Sequence, residues 1–115
     1  MHELSIAISL VEAAEEEAAK HNAIGVSAVH LRLGPLAGVV KESLLFSYDI
    51  ATQGTKLEGS QLIIEDSPVM VFCTVCQERR PIQSLQSFCC ATCDAPAIDV
   101  VQGRELEVTA LEIRE

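Results

Sequence analysis

VMVFCTVCQERRPIQSLQSFCCATCDAPAI, residues 69–98, carries two C-x2-C knuckles, Cys73-Thr74-Val75-Cys76 and Cys90-Ala91-Thr92-Cys93, with 13 residues between them. Zn(II) takes four soft donors at tetrahedral angles, and two short knuckles brought together by a hairpin supply them. A single C-x2-C pair suits thioredoxin-like redox chemistry, but two facing pairs argue against it. Iron–sulfur clusters use the same donors, yet the familiar run of closely spaced cysteines is absent. Iron in a rubredoxin-like centre is an alternative that a metal assay separates. Cys89 and Cys93 would form a C-x3-C pair, so the usual spacing assigns Cys90 as the ligand and leaves Cys89 a free thiol, open to oxidation if exposed. Four thiolates leave no place for water, and the segment has no His and no H-E-x-x-H arrangement, so the expected role is structural. Zinc-folding free energies of about 10–16 kcal/mol far exceed what the few apolar residues of this Ser- and Gln-rich stretch supply.

On the N-terminal side, Leu4, Ala7, Ile8, Val11, Ala14 and Ala18 recur at spacings of three and four and predict a helix over residues 4–21. Glu12, Glu15, Glu16 and Glu17 gather towards its other face, Lys20 and His21 suit its C-terminal end, and Asn22 and Gly25 mark a stop. Val29, Leu31 and Leu33 alternate with His30 and Arg32 in a predicted strand over 26–34, closed by Gly34-Pro35. A second helix is expected over 41–53, with Leu44, Tyr48 and Ala51 on one face and Gly54 as C-cap. A strand begins at 61–66 and is interrupted by Asp66-Ser67-Pro68. A last strand is expected over 104–114. There Leu106 and Val108 set one phase and Leu111 and Ile113 the other, which calls for a bulge near Thr109-Ala110 or burial on both faces. The fold class is α/β (α+β): two helices on a three-stranded mixed sheet with an inserted four-cysteine zinc-ribbon module. Residues 1–68, completed by a final strand within 99–115, form the α/β domain, and 69–98 the ribbon.

The chain has 115 residues, 49% of them hydrophobic and 3% aromatic, so its core is modest and aliphatic. A net charge of -9 argues against nucleic acid, which needs a basic face; within the ribbon only Arg79 and Arg80 are basic. A basic protein partner or a divalent cation fits better. No run of 18 apolar residues predicts a membrane span, and Met1-His2-Glu3-Leu4 does not open a secretory leader. A cytoplasmic location is expected, where five cysteines read as thiolate ligands before disulfides. No nucleophile–base pair, phosphate loop or open metal site suggests an enzyme.

Met1-His2-Glu3 carries a second chemical possibility. The α-amine, the His2 amide and the His2 imidazole can close adjacent chelate rings, and the Glu3 amide or carboxylate can complete a square plane suited to Ni(II) or Cu(II). The bland alternative is a solvated second-position histidine. His21 suits a helix end and His30 the polar phase of a strand.

Together the two clusters are specific. The chain resembles the HypA family of hydrogenase-maturation nickel chaperones, HybF paralogues included, over essentially its whole length. The resemblance rests on Met1-His2-Glu3 at a helix start, on the Glu42-Ser-Leu-Leu-Phe46-Ser-Tyr-Asp49 segment, and on the knuckles Cys73/Cys76 and Cys90/Cys93. It implies weak nickel binding through the Met1 amine, His2 and backbone amides including that of Glu3, in residues 1–68 as the nickel-binding domain. It implies nickel exchange with a GTPase partner, HypB, and delivery of this cargo to the large-subunit precursor of a [NiFe]-hydrogenase, with urease maturation in some members. It also implies a structural zinc ribbon that helps recognise the hydrogenase subunit. The family pattern Cys-Pro-x-Cys at the second knuckle is replaced here by Cys90-Ala91, with Cys89 in front. The competing function is a zinc-ribbon protein-interaction module without specific nickel binding.

Overall fold

The computed structural model describes residues 2–115. The order of elements is α1 (His2–Lys20), β1 (Gly25–Leu33), a 3-10 turn (Pro35–Ala37), α2 (Lys41–Ala51), β2 (Gln61–Asp66), β3 (Met70–Cys73), β4 (Glu78–Pro81), β5 (Val100–Gln102) and β6 (Leu106–Arg114). The chain divides into two compact units. The first comprises Met1–Arg32, Gly38–Glu65 and Glu107–Glu115, the second Leu33–Ala37 and Asp66–Leu106. Among the described residues no helix is long and apolar enough to cross a membrane.

The first unit is the expected pair of helices on a three-stranded sheet of order β2-β1-β6. Val26 meets Lys56 ahead of β2 and Arg32 meets Glu65 near its end, so the chain advances in the same direction along both strands and they are parallel. Contacts between β1 and β6 run oppositely, from Arg32 with Glu107 through His30 with Thr109 to Ser27 with Glu112, so this pair is antiparallel and the sheet is mixed. The core gathers Ala7, Leu10, Val11, Ala14 and Ala18 of α1, Val29 and Leu31 of β1, and Leu44 and Tyr48 of α2. Three alanines on the buried face of α1 compensate for the scarcity of aromatics by letting backbones approach closely. Tyr48, 1% exposed, places its hydroxyl 2.7 Å from Ser60 Oγ, which satisfies both buried groups.

Asn22 ends α1 with φ 56°, while the Ala23 N–H returns to the Ala18 carbonyl. Helix α2 stops at Ala51 rather than 53, with Thr52 as its C-cap in right-handed geometry; Gly54, at φ 77°, lies in the turn beyond. The last strand is not buried on both faces. Strand β1 changes phase alongside, admitting Val26 and then Val29 and Leu31 to the core. Leu111 and Ile113 pack on that core, whereas Leu106 and Val108 stay 38% and 39% exposed.

The second unit has its own sheet, β4-β3-β5, antiparallel throughout. Strand β5 lies ahead of the final strand expected over 104–114, which begins instead at Leu106. Gly103, at φ 121°, breaks the extended chain between β5 and β6. The unit also takes in Leu33–Ala37, held by Gly34 N–H to the Glu105 carbonyl, Leu36 N–H to the Gly103 carbonyl and Ser67 N–H to the Leu33 carbonyl, at 2.8, 2.9 and 2.9 Å. Its buried aliphatic residues are Leu33, Val69 and Val71, while Val75, Leu85, Ile98 and Val101 lie exposed. Full burial of an aliphatic side chain is worth about 1.5–3 kcal/mol. Three of them do not order a segment as long as Asp66–Leu106 against a backbone entropy of about 1–2 kcal/mol per residue.

Candidate metal centre

The two knuckles have the same backbone geometry. Gln77, after the first, has φ 59° and returns its N–H to the Cys73 carbonyl at 2.7 Å. Asp94, after the second, has φ 67° and returns its N–H to the Cys90 carbonyl at 2.9 Å. This left-handed residue folds each C-x2-C into a tight turn whose two sulfurs point the same way, and it makes Cys90 the counterpart of Cys73. Strands β3 and β4 deliver the first knuckle, with Cys73 opposite Glu78. Bridges from Ile82 to Cys90 and from Cys89 to Pro96 seat the second.

The sulfurs of Cys73, Cys76, Cys90 and Cys93 all lie within 4.8 Å of one another, and that of Cys89 is outside the group. A tetrahedral ion with Zn–S bonds of about 2.3 Å sets its sulfurs about 3.8 Å apart, so the arrangement fits a four-thiolate metal site closed to solvent ligands. No disulfide joins the cysteines. Cys73 and Cys90 are buried and Cys76 and Cys93 half-buried.

Electrostatics in the cluster are uneven. The Cys93 backbone N–H is the largest influence on Cys90; with the Thr92 N–H and the neighbouring thiols it overcomes burial and brings the Cys90 thiol down to about 6. Cys73 is also lowered, chiefly by the Cys76 N–H 3.4 Å from its sulfur. The Ala95 N–H favours the Cys93 thiolate, but the Cys73 sulfur, burial and the sulfurs of Cys90 and Cys76 outweigh it and push that thiol up to about 12. The folded arrangement thus favours the thiolate at Cys90 and Cys73 but the thiol at Cys93; a divalent cation removes the conflict by favouring every thiolate at once.

The other proposed ligands lie in the first unit. Met1 is outside the described residues. His2 is exposed at the start of α1. The Glu3 carboxylate accepts a hydrogen bond from the Val40 N–H at 3.1 Å, and this contact chiefly holds its carboxyl below the usual glutamate range. Val40 is the N-cap of α2 and has no side-chain cap of its own. Glu3 therefore serves the N-terminus of the second helix from the first turn of the first, a role that neighbouring residues in sequence do not reveal. His21 pairs with Glu17 at 3.3 Å and His30 with Glu112 at 2.6 Å.

The chain matches, over residues 1–113, the family described as hydrogenase/urease nickel incorporation, metallochaperone, HypA. It is 50% identical over 112 residues to the hydrogenase maturation factor HypA of Roseiflexus sp. (strain RS-1), covering 97% of this chain and 91% of that one. It is also 50% identical over 112 residues to the protein of that name from Chloroflexus aurantiacus (strain ATCC 29366 / DSM 635 / J-10-fl), covering 97% and 98%. Its fold resembles the solution structure of the Ni metallochaperone HypA from Helicobacter pylori, with a TM-score of 0.68, 23% identity and 97% of each chain covered. A second solution structure, of a HypA protein, gives a TM-score of 0.73 at 24% identity and covers 98% and 96%.

Proposed function

The chain belongs to the HypA family of nickel metallochaperones, and from that premise we propose that it carries Ni(II) at its N-terminal end while the four cysteines hold a structural zinc ion. The observation that carries the nickel reading is the state of the first turn of α1. His2 is exposed, and the Glu3 carboxylate is engaged by Val40. The first N–H groups of a helix have no intrahelical acceptor, so the His2 and Glu3 amide nitrogens can bind a metal without breaking a helix hydrogen bond, the Glu3 N–H giving up only the bond to its own carboxylate. The Met1 amine and the His2 imidazole complete four nitrogen donors for Ni(II). The Glu3 carboxylate acts in this reading as an anchor for the turn and not as a donor. An exposed clamp of this kind gives its cargo up readily to incoming ligands of an acceptor.

Nickel titration of untagged, zinc-loaded protein tests the reading. His2→Ala is expected to lose one nickel equivalent per chain and keep its zinc, because the imidazole is one of the four nickel donors and no ligand of the zinc. Equal nickel binding by both proteins leaves a zinc-ribbon interaction module as the better reading.

The partners proposed are a HypB-like GTPase that exchanges nickel with the chain, the large-subunit precursor of a [NiFe]-hydrogenase that receives it, and urease maturation proteins. Glu12 and Glu16 are exposed on α1, about 15 and 21 Å along the helix from His2 at 1.5 Å per residue. Glu15 is engaged by the Lys56 N–H and Glu17 by Lys20 and His21. The two exposed carboxylates thus form a face for a basic surface on the GTPase. Replacing both by glutamine is expected to slow association at low salt severalfold and to flatten its salt dependence. Unchanged rates at low and high salt dismiss this face.

A further inference from the structure

Strand β4 brings an arginine to the cysteine cluster. Arg80 lies opposite Val71, and Glu78 opposite Cys73. Residues directly opposite in an antiparallel pair share a face, so Val71, Cys73, Glu78 and Arg80 project to one side. The bridge from Ile82 to Cys90 carries the same phase to the second knuckle. Val71, Cys73 and Cys90 are buried at 0%, 6% and 1% exposure, so this is the inner face of the ribbon. Arg80 is itself 31% exposed and places one terminal nitrogen 2.5 Å from Glu78 Oε2. Its Nε is buried and, among the described residues, is the buried side-chain nitrogen or oxygen without a hydrogen-bond partner. A guanidinium does not give up its proton, and a buried N–H without an acceptor is costly.

We infer that Arg80 is a positioning residue of the metal centre, donating N–H···S hydrogen bonds to the Cys76 sulfur when that sulfur is a metal-bound thiolate. Two observations agree. The Cys76 side chain stands within hydrogen-bonding reach of the Arg80 guanidinium. Four thiolates around a divalent cation also carry a net charge of about -2, in a chain whose own net charge is -9. A fixed cation against the half-buried Cys76 offsets that charge and withdraws electron density from the sulfur. This lowers the nucleophilicity of the ligand that solvent reaches. The consequence is chemical protection: a bound thiolate relieved of its hydrogen bond reacts faster with electrophiles and releases the ion.

The inference rests on the zinc reading of the cluster, and zinc content measured first on each protein separates the two: wild type purified without one bound zinc per chain fails that reading itself. Zinc-loaded wild type, Arg80→Met and Arg80→Lys are then treated with iodoacetamide. The sulfur forms a C–S bond as iodide leaves, and released zinc is followed with a chromogenic chelator. Loss of one charge-assisted hydrogen bond predicts release about tenfold faster for Arg80→Met, with the first adduct on Cys76 by peptide mass spectrometry. Arg80→Lys, which keeps the charge but not the fork, is expected between the two. Equal rates in all three, or a first adduct on another ligand, overturn the inference. If Arg80→Met does not retain zinc, wild type loaded with 113Cd decides. Scalar coupling between 113Cd and the Arg80 Nε proton supports the hydrogen bond, and its absence overturns it.

Discussion

Replacing Cys90 by serine is expected to strip the chain of its zinc and unfold Asp66–Leu106, while the helical unit keeps its fold. The Cys90 sulfur is one of four within 4.8 Å of one another, and the thiol is 1% exposed. Serine offers a poorer donor for zinc and leaves a hydroxyl in a buried position. The unit has only Leu33, Val69 and Val71 as buried aliphatic residues, so metal binding and folding are one event. Metal analysis is expected to give less than one zinc per chain. Amide spectra are expected to lose the dispersed resonances of β3, β4 and β5 and to keep those of α1 and α2. Cys89→Ser is the contrast and retains both zinc and spectrum. A zinc-free Cys89→Ser protein would move the ligand assignment from Cys90 to Cys89.

The same site sets a pH dependence. With the four sulfurs held in their folded positions, the Cys90 thiol falls from the ordinary 9.0 to about 6. A depressed value means that the folded state favours the thiolate, a stabilisation complete above the ordinary value and lost as pH falls through about 6. Cys93, raised to about 12, favours the thiol, a stabilisation complete below the ordinary value and lost as pH rises through about 12. At neutral pH the metal-free cluster therefore holds protons that zinc must displace. Zinc binding is expected to release protons into weakly buffered solution, and a chelator is expected to remove the ion faster as pH falls towards 6.

Gly34→Ala is the second large effect. An added Cβ would stand 2.1 Å from the Gly103 carbonyl oxygen, 2.2 Å from its carbon and 2.8 Å from the Arg104 nitrogen. All three are backbone atoms, so no flexible side chain can yield. Gly103 is itself fixed by its φ of 121° and by Val69, whose Cγ2 a Cβ there would meet at 2.9 Å. Relief requires moving Leu33–Ala37 away from Gly103–Glu105 and breaking the hydrogen bonds from Gly34 to Glu105 and from Leu36 to Gly103. A forced backbone separation of this kind is expected to cost about 3–5 kcal/mol. Thermal unfolding of the zinc-loaded protein measures it. Gly38→Ala is the control: its φ of 74° strains an L-residue, but nothing lies within 4 Å of the added atom, so about 1 kcal/mol is expected. If the two variants melt together, the close approach at Gly34 is not what holds this junction.

The features legible in the sequence were those written in short-range pattern. Apolar spacing of three and four marked α1, and alternation marked Val29, Leu31 and Leu33 as the buried phase of β1. Strand β4 was not legible in this way: Glu78-Arg79-Arg80-Pro81 has no apolar alternation, and it is a strand because the knuckle turn lays it against β3. Strand β5 was not legible either: Val100-Val101-Gln102 is too short for an alternation to show, and it falls between the ribbon and the strand expected over 104–114. The Ser- and Gln-rich composition of the ribbon did state that a metal was needed, because it left little to bury.

The cysteine spacing by itself determined that each knuckle would bring its own two sulfurs together through local backbone geometry, while the strand pairing and bridges of the ribbon set the two pairs within 4.8 Å. The preference for Cys90 over Cys89 followed from that spacing, and only the tertiary structure gave it a cause, in the matching turns closed by Gln77 and Asp94. The same holds for what surrounds the site. Arg80 reaches the inner face of the ribbon through strand register, Glu3 meets Val40 across 37 residues, and Leu33–Ala37 joins the second unit through hydrogen bonds to residues near 103–105. Each depends on partners far apart in the chain, and the spacing of residues along one segment carries no information about which distant segment it will meet.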